Sequence, residues 1–273
     1  TSIEYRAFNG TGIYNDESNW ENDALYVDNC LVDIEMYSDK SSFDIKNNTR
    51  LISHLDFSFW SVLTKIMLPN SVKYISRRTF RFCTSLTSIT LSNNLLSIGE
   101  EAFYGCSALK SIIIPNSVTH IGKKAFYECT SLESISIPNS VTSIGESAFQ
   151  NCSILTSVSL SNALIDIASR TFYGCSSLTS ITLPKNLLTI GSSAFYGCTS
   201  LSSITIPNCV NSIEDHAFAK CSSLISISIP ETVTHIGANA FAKTPWYDNQ
   251  PDGFLYINNV LYSTKGIIRS DTT

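Results

Sequence analysis

The amino-acid sequence predicts a β-rich α/β solenoid, wound as a right-handed superhelix of 23-residue repeats with a β-hairpin interruption near each end. Phenylalanine recurs nine times without insertion or deletion, at positions 57, 80, 103, 126, 149, 172, 195, 218 and 241. An L-x-x-I-x-[LI] pattern returns at the same place in each interval. A fixed period of roughly 20 to 50 residues is typical of stacked solenoids. The chain is therefore predicted to be one array rather than two ordinary domains.

One repeat contains a strand, a break and a tight turn. Leu109, Ile112 and Ile114 have the spacing of a strand whose alternate side chains face inward. Pro115 then ends the strand, because proline cannot donate to a sheet ladder. A second short apolar pair follows, and Gly122 marks a turn. The A-F-x-x-C segment after it is predicted to form a single helical turn at most.

The two ends of the chain repeat one another. Residues 24–32 parallel residues 254–262, and each stretch reads as a hairpin of β-forming residues. The turns, Asp28-Asn29 and Asn258-Asn259, tolerate positive φ. The register of the repeats also places Thr1 inside the last part of an earlier repeat. We therefore expect the chain to be a piece of a longer array.

The repeats divide the chain into three parts. Residues 1–56 are predicted to hold the end of a preceding repeat, a hairpin interruption and an N-terminal cap. Residues 57–243 hold eight repeats of 23 residues, and residues 244–273 hold the second hairpin interruption and a C-terminal cap. Terminal repeats of an array are usually atypical, because they shield the end of the core from water.

The N-terminal cap is a degenerate repeat. Residues 42–45 and 49–52 read as short strands around a turn of Lys46, Asn47 and Asn48. Asp56 stands where later repeats have alanine, and Trp60 stands where they have cysteine.

Charge is sparse and unevenly placed. Charged residues make up 15% of the chain, and the net charge is -5. Residues 1–56 carry eleven acidic and four basic side chains, whereas the remainder carries twelve acidic and fourteen basic ones. Neither part has the dense basic stripe that nucleic-acid binding requires. No apolar run approaches the length of a membrane-spanning helix.

Seven cysteines form a column with the repeat period. Neighbouring coils are about 4.8 Å apart, so disulfides within the column are geometrically conceivable. Two observations favour instead a buried spine of free thiols. The number of cysteines in the column is odd, and disulfide pairing along it would make neighbouring repeats structurally different from one another. The column is Cys83, Cys106, Cys129, Cys152, Cys175, Cys198 and Cys221. Cys30 and Cys209 lie outside it, and we expect all nine thiols to be free.

Two polar rows flank the middle apolar residue of each strand, and they are the candidate binding surface. One interpretation is an extended, largely uncharged docking surface of the kind that solenoids offer. The other is that small hydroxyl side chains merely solvate a sheet. Ile113 and Met67 interrupt the rows and can anchor a partner. The sixteen positions are Lys65, Met67, Ser88, Thr90, Ser111, Ile113, Ser134, Ser136, Ser157, Ser159, Ser180, Thr182, Ser203, Thr205, Ser226 and Ser228.

Catalytic, cofactor and metal sites are not predicted. His120 and His235 share a column but lie five repeats apart, which places them about 24 Å from each other. No histidine, carboxylate and nucleophile can be grouped from the columns, and the sequence has no phosphate loop and no metal-ligand spacing. A third column holds Tyr104, Tyr127, Tyr173 and Tyr196, for which we expect partial packing on the convex side.

The repeat pattern resembles the leucine-rich repeats of the BspA-like family, also called the Treponema pallidum type. The motif I-P-x-S-V-x-x-I-G-x-x-A-F-x-x-C-x-x-L carries the resemblance, which covers essentially the whole chain. It implies a leucine-rich-repeat fold and a secreted or cell-surface protein. It also implies a non-enzymatic role in adhesion, with a host matrix, mucosal or other cell-surface protein as partner. The alternative is a structural spacer that holds another domain away from the cell. We expect a monomer that binds no nucleic acid and needs no cofactor.

Overall fold

A computed structural model describes residues 8–35, 39–53 and 57–265 of the chain. Within these ranges, short helices lie only beside the two hairpins, as α1 (Gly12–Asn15), a 3-10 turn (Glu17–Asn19) and α2 (Pro245–Asp248). In chain order the strands are β1 (Trp20–Glu21), β2 (Ala24–Val27), β3 (Cys30–Ile34), β4 (Ser42–Asp44), β5 (Leu51–Ile52), β6 (Lys65–Met67), β7 (Tyr74–Ile75), β8 (Ser88–Thr90), β9 (Ser97–Ile98), β10 (His120–Ile121), β11 (Ser134–Ser136), β12 (Ser143–Ile144), β13 (Ser157–Ser159), β14 (Asp166–Ile167), β15 (Ser180–Ile181), β16 (Thr189–Ile190), β17 (Ser203–Thr205), β18 (Ser212–Ile213), β19 (Ser226–Ser228), β20 (His235–Ile236), β21 (Gly253–Ile257) and β22 (Val260–Lys265).

The strands after the first apolar column follow one another as three parallel sheets, called here together the first ladder. It consists of β4-β6-β8, β11-β13-β15 and β17-β19, with partners 23 residues apart. Burial alternates along most of these strands, because the middle side chain faces the core and its two neighbours face water. The predicted strand pattern is therefore confirmed. It fails at residues 111–113, which take no strand conformation although they lie between β8 and β11.

A second parallel ladder runs through every coil and was not predicted from the sequence. Its members in the repeats are two-residue strands, exemplified by β10, which pairs with β9 and β12. The ladder continues from the N-terminal hairpin, in the order β1-β2-β3-β5-β7-β9-β10-β12, and resumes as β14-β16-β18-β20. Apart from the coil with residues 111–113, each coil thus contributes one strand segment to each of two faces, and the chain is a solenoid as predicted.

The phenylalanine column fills the centre of the solenoid. All nine rings are fully buried, and consecutive rings stack with centroids 5.1 to 5.7 Å apart. The leucine column before each first-ladder strand, from Leu63 to Leu224, is buried as well. Each coil therefore buries its apolar columns against the next coil, and the stability of one repeat depends on its neighbours.

The cysteine column is a buried spine of free thiols, as predicted. All nine cysteines are free, and the seven of the column are fully buried. Each column sulfur donates a hydrogen bond to the phenylalanine carbonyl 26 residues earlier, at 2.9 to 3.2 Å. Burial raises the pKa of Cys83, Cys152 and Cys221 to about 12, so these thiols stay protonated and inert.

The repeated glycines are required by a close approach between coils rather than by their own φ. A Cβ on Gly145 would lie 2.4 Å from the backbone nitrogen of Lys123. The same conflict with the preceding coil arises at Gly99, Gly122, Gly191 and Gly237. The left-handed positions of each repeat come in the turn that follows, as at Glu101 and Gly105. The turn therefore begins just after the glycine that was predicted to mark it.

Aromatic side chains close both ends of the core. Phe43 of β4 meets Phe57 and Trp60 edge-on, at centroid distances of 5.5 and 5.9 Å. Trp246 and Tyr262 meet Phe241 edge-on at 4.9 and 5.5 Å. These contacts are consistent with the cap roles expected of the flanking segments.

The segment after the first hairpin already forms a coil of the solenoid. β4 and β5 were predicted as strands around a turn, and both are present. They belong to different ladders, however, because β4 pairs with β6 while β5 lies between β3 and β7. Asp56, read as part of the degenerate first repeat, lies outside the described residues.

Candidate binding surface

The two polar rows lie side by side on the first ladder, called here the strand face. All sixteen predicted positions are exposed. The parallel register sets Ser134 beside Ser157 and Ser136 beside Ser159, and the same alignment joins Ser203 to Ser226. The structure therefore brings the predicted residues into rows. Three of them, Ser111, Ile113 and Thr182, lie outside strand segments, contrary to the strand assignment.

The rows extend one coil further than the sequence analysis placed them. Ser42 pairs with Lys65, and Asp44 pairs with Met67, so that β4 adds a position to each row. The Ser-Phe-Asp triplet lies 23 residues before the triplet of β6, but Ile34 and Lys40 replace the phenylalanine and leucine of that period and hid its place in the stack. Asp44 and Lys65 put opposite charges at the N-terminal end of an otherwise uncharged strand face.

Two apolar side chains project from the strand face. Met67 is 62% exposed, and Ile113 is 86% exposed. Ile113 lies on the irregular coil at 111–113, beside a depression of about 340 Å³ that Ser136 and Pro138 also line. The loss of regular pairing there leaves an apolar side chain and a shallow hollow next to each other.

A row of threonines beside the strand face ties neighbouring coils together. Thr87 Oγ1 donates to the Thr64 carbonyl at 3.0 Å, and Thr179 Oγ1 donates to the Thr156 carbonyl at 3.3 Å. In contrast, across the described ranges no protein hydrogen bond or ion pair engages the side chains of the sixteen predicted positions. The serine and threonine hydroxyl groups among them are exposed to water.

The turn face, formed by the A-F-x-x-C segments, carries stacked tyrosines. Tyr104 and Tyr127 stack at 4.6 Å, and Tyr173 and Tyr196 stack at 4.7 Å. All four are half-buried, which confirms the partial packing that was predicted. Because the rings cover each other's faces, mainly their edges and hydroxyl groups remain accessible.

A compact ion-pair group lies at the N-terminal end of the turn face. Arg78 Nε lies 2.6 Å from Glu101 Oε2, and Arg81 Nε lies 3.3 Å from the same oxygen. Burial alone would raise the pKa of Glu101. The hydrogen bond from Arg78 and the charges of both arginines outweigh it and lower that pKa below its usual range. The group joins two neighbouring coils of the solenoid.

The columns predicted no grouping of a histidine, a carboxylate and a nucleophile, but the structure brings Ser212, Glu214 and His235 together. The Ser212 hydroxyl donates to Glu214 Oε1 at 2.5 Å, and His235 Nε2 lies 3.7 Å from Glu214 Oε2, so both side chains contact the same carboxylate. His120 and His235 each occupy the exposed first position of a second-ladder strand, five coils apart. Among the described residues no three histidine, cysteine or acidic side chains are grouped to hold a metal ion. A search of the same residues for a helix long and apolar enough to cross a membrane also finds none.

The stacked coils, the buried phenylalanine and leucine columns and the parallel ladders define a leucine-rich-repeat solenoid. The model of the BspA type Leucine rich repeat region matches residues 36–156 and 142–250, in six copies. The chain therefore belongs to the BspA-type leucine-rich repeat family, as its sequence motif indicated. No curated protein matches the chain.

Solved structures with the same architecture come from several bacteria. A leucine rich cell surface protein from Faecalibacterium prausnitzii has 27% identity and a TM-score of 0.64, over 83% of this chain and 74% of that one. A leucine-rich repeat protein from Bacteroides ovatus has 22% identity and a TM-score of 0.56, over 82% and 89%. The pneumococcal vaccine antigen PcpA has 18% identity and a TM-score of 0.53, over 83% and 79%. The last two support the fold alone. None of these matches indicates a catalytic family.

Proposed function

We propose that this chain is a non-enzymatic binding module of a secreted or cell-surface protein, and that it adheres to a protein partner through the strand face. The partner is a host matrix protein, a mucosal protein or a protein on another cell. Residues 57–243 supply the docking array, while residues 1–56 and 244–273 cap its ends. The module acts as a monomer and needs no cofactor.

The observation that carries this proposal is the pair of exposed, in-register rows interrupted by Ile113 and its adjacent depression. A surface of hydroxyl groups with few charges suits a protein partner that offers backbone and amide hydrogen bonds. An isolated apolar side chain over a hollow suits the central contact, because a few buried anchors usually supply most of the binding energy. The similar Faecalibacterium structure, described as a cell surface protein, supports the location.

Binding to an immobilised panel of matrix proteins, mucins and bacterial surface proteins tests the proposal. We expect saturable binding to at least one of them. Ile113→Asp should weaken it by about 10-fold or more, because a buried charge replaces an apolar anchor. Ile165→Asp is the matched control, because Ile165 is 54% exposed but precedes β14 of the second ladder.

Equal losses in the two variants would contradict the assignment to the strand face. Failure of the chain to bind any panel member would contradict the binding role. That result, together with loss of adhesion when the array is deleted from the whole surface protein, would establish the spacer function instead.

A further inference from the structure

The hairpins at the two ends of the chain are the same structural unit. In the first hairpin, Ala24 pairs with Ile34 and Val27 pairs with Cys30. In the second hairpin, the corresponding partners lie 230 residues further on, from Phe254 with Thr264 to Ile257 with Val260. Both hairpins have an irregularity at the same place, between Leu25 and Tyr26 and between Leu255 and Tyr256. Each residue of the first hairpin therefore has a counterpart 230 residues later in the second.

The segments that lead into the hairpins match as well. Thr11 caps α1 by accepting from the Tyr14 amide, and Thr244 caps α2 by accepting from the Tyr247 amide. Each threonine hydroxyl also donates to a phenylalanine carbonyl three residues earlier, at 2.6 and 2.7 Å. Both hairpins thus follow the end of a repeat in the same way.

The first hairpin is covered on its outward side by the coil that follows it. β5 pairs in parallel with β3, setting Leu31 beside Ile52. The Lys46 amino group lies 4.4 Å from the Tyr26 ring centroid, and the Lys46 amide donates to the Tyr26 hydroxyl. The Asn48 side chain donates to the Asn29 side chain at 2.6 Å. As a result, Leu31 is fully buried.

The second hairpin carries the same three contact residues with nothing from the described residues over them. Tyr256, Asn259 and Leu261 stand where the first hairpin has Tyr26, Asn29 and Leu31. Tyr256 is 59% exposed, and Leu261 is 50% exposed. Phe254 adds a third large apolar side chain to this face, at 66% exposed. The opposite face of the hairpin is packed, because Leu255 and Ile257 are buried and Tyr262 contacts Phe241.

We propose that the outward face of the second hairpin, formed by Phe254, Tyr256, Asn259 and Leu261, is a docking site for the first coil of a further repeat array of this kind. The incoming coil has the chemistry of residues 46–52. It places a lysine over the Tyr256 ring, an amide side chain on Asn259, and a short apolar strand parallel to β22 beside Leu261. The covered face of the first hairpin is the template for each of these contacts.

A second copy of this chain does not fit the site, because the first coil of that copy is already bound to its own first hairpin. Lys46, Asn48 and Ile52 contact the hairpin of the same molecule. The occupant is therefore an array coil linked after the hairpin, and the hairpin joins two arrays into one continuous solenoid. Docking at this hairpin takes place at the end of the array and is independent of the partner that binds the strand face.

The test uses an extended chain in which residues 36–265 are repeated directly after Lys265. This fusion keeps the 230-residue offset between the hairpins. Hydrogen exchange of the amides in residues 258–263 is compared between the original and the extended chain. We expect these amides to exchange at least about 10-fold more slowly in the extended chain, because docking buries the edge of β22. Leu261→Asp in the extended chain should abolish the gain, whereas Leu188→Asp, at an exposed array leucine, should preserve it.

Unchanged exchange in residues 258–263 of the extended chain would overturn the proposal. So would self-association of the original chain that Leu261→Asp abolishes, because the occupant would then be a second copy. Protection of the β13 amides serves as the control for folding in every variant.

Discussion

Removal of one ring from the phenylalanine column should destabilise more than one repeat. Phe149 is fully buried, and its ring stacks between Phe126 at 5.3 Å and Phe172 at 5.6 Å. Phe149→Ala removes the buried side chain and leaves a cavity in a column that cannot collapse without shifting both neighbours. We expect a loss of about 3–5 kcal/mol in the free energy of unfolding.

The assay has a global and a local part. Urea unfolding gives the loss of stability, and hydrogen exchange reports on the flanking coils. The Phe126 amide donates to the Ala148 carbonyl at 2.8 Å, so its protection should fall along with that of the Phe149 amide. Ser157→Ala, on the exposed strand face, should change stability by less than about 0.5 kcal/mol. A loss well under about 1 kcal/mol for Phe149→Ala would refute the burial and stacking argument.

Three further predictions concern the glycines, the ion pairs and the thiols. Gly145→Ala should destabilise by about 1–3 kcal/mol, because its Cβ would meet the Lys123 backbone, whereas Gly12→Ala, in open space, should not destabilise. The pKa of Glu101 is lower in the folded chain than in the unfolded chain, where it is about 4.3. Its ion pairs therefore stabilise the fold fully above that pH, and the stabilisation is lost as the pH falls through the pKa of the folded state. Glu101→Gln should therefore cost about 1–3 kcal/mol at pH 7 and flatten the stability profile in acid, as followed by urea unfolding. Thiol titration at pH 8 should modify the exposed Cys209 rapidly and detect all nine thiols only after denaturation.

Each of these has a result that would contradict it. Equal stability of Gly145→Ala and the original chain would mean that the coils do not approach as closely as described. If Glu101→Gln left the pH dependence of the free energy of unfolding in acid unchanged, Glu101 would not be a source of that dependence. Detection of three or four disulfides in denatured, non-reduced protein would overturn the free-thiol spine.

The buried columns of the fold could be predicted from the sequence because they repeat without insertions. Phe149, Cys152 and Leu155 belong to columns of nine, seven and eight residues, respectively. A 23-residue period kept over so many repeats is compatible with few folds other than a solenoid. The second ladder escaped prediction because two-residue strands such as β10 carry no alternation to detect. The irregular coil at 111–113 escaped for the opposite reason. Its Ser-Ile-Ile-Ile sequence favours a strand, and no residue in it interrupts the predicted pattern.

The strand face was located by its columns, but its most distinctive feature was not. Sequence alone indicated that Ile113 interrupts a polar row, and the depression beside it depends on the conformations of two neighbouring coils. The open face of the second hairpin was likewise invisible as a site. It became apparent only when Leu261 could be compared with Leu31, its fully buried counterpart.

Competition for adhesion is the most direct test of the binding role. Cells that display this array are allowed to adhere to the protein surface that the binding panel identifies, in the presence of increasing amounts of the soluble chain. A binding module should inhibit adhesion in a saturable way, and the Ile113→Asp variant should need about 10-fold more protein for the same inhibition, or more. Undiminished adhesion at saturating concentrations of the soluble chain would contradict the account.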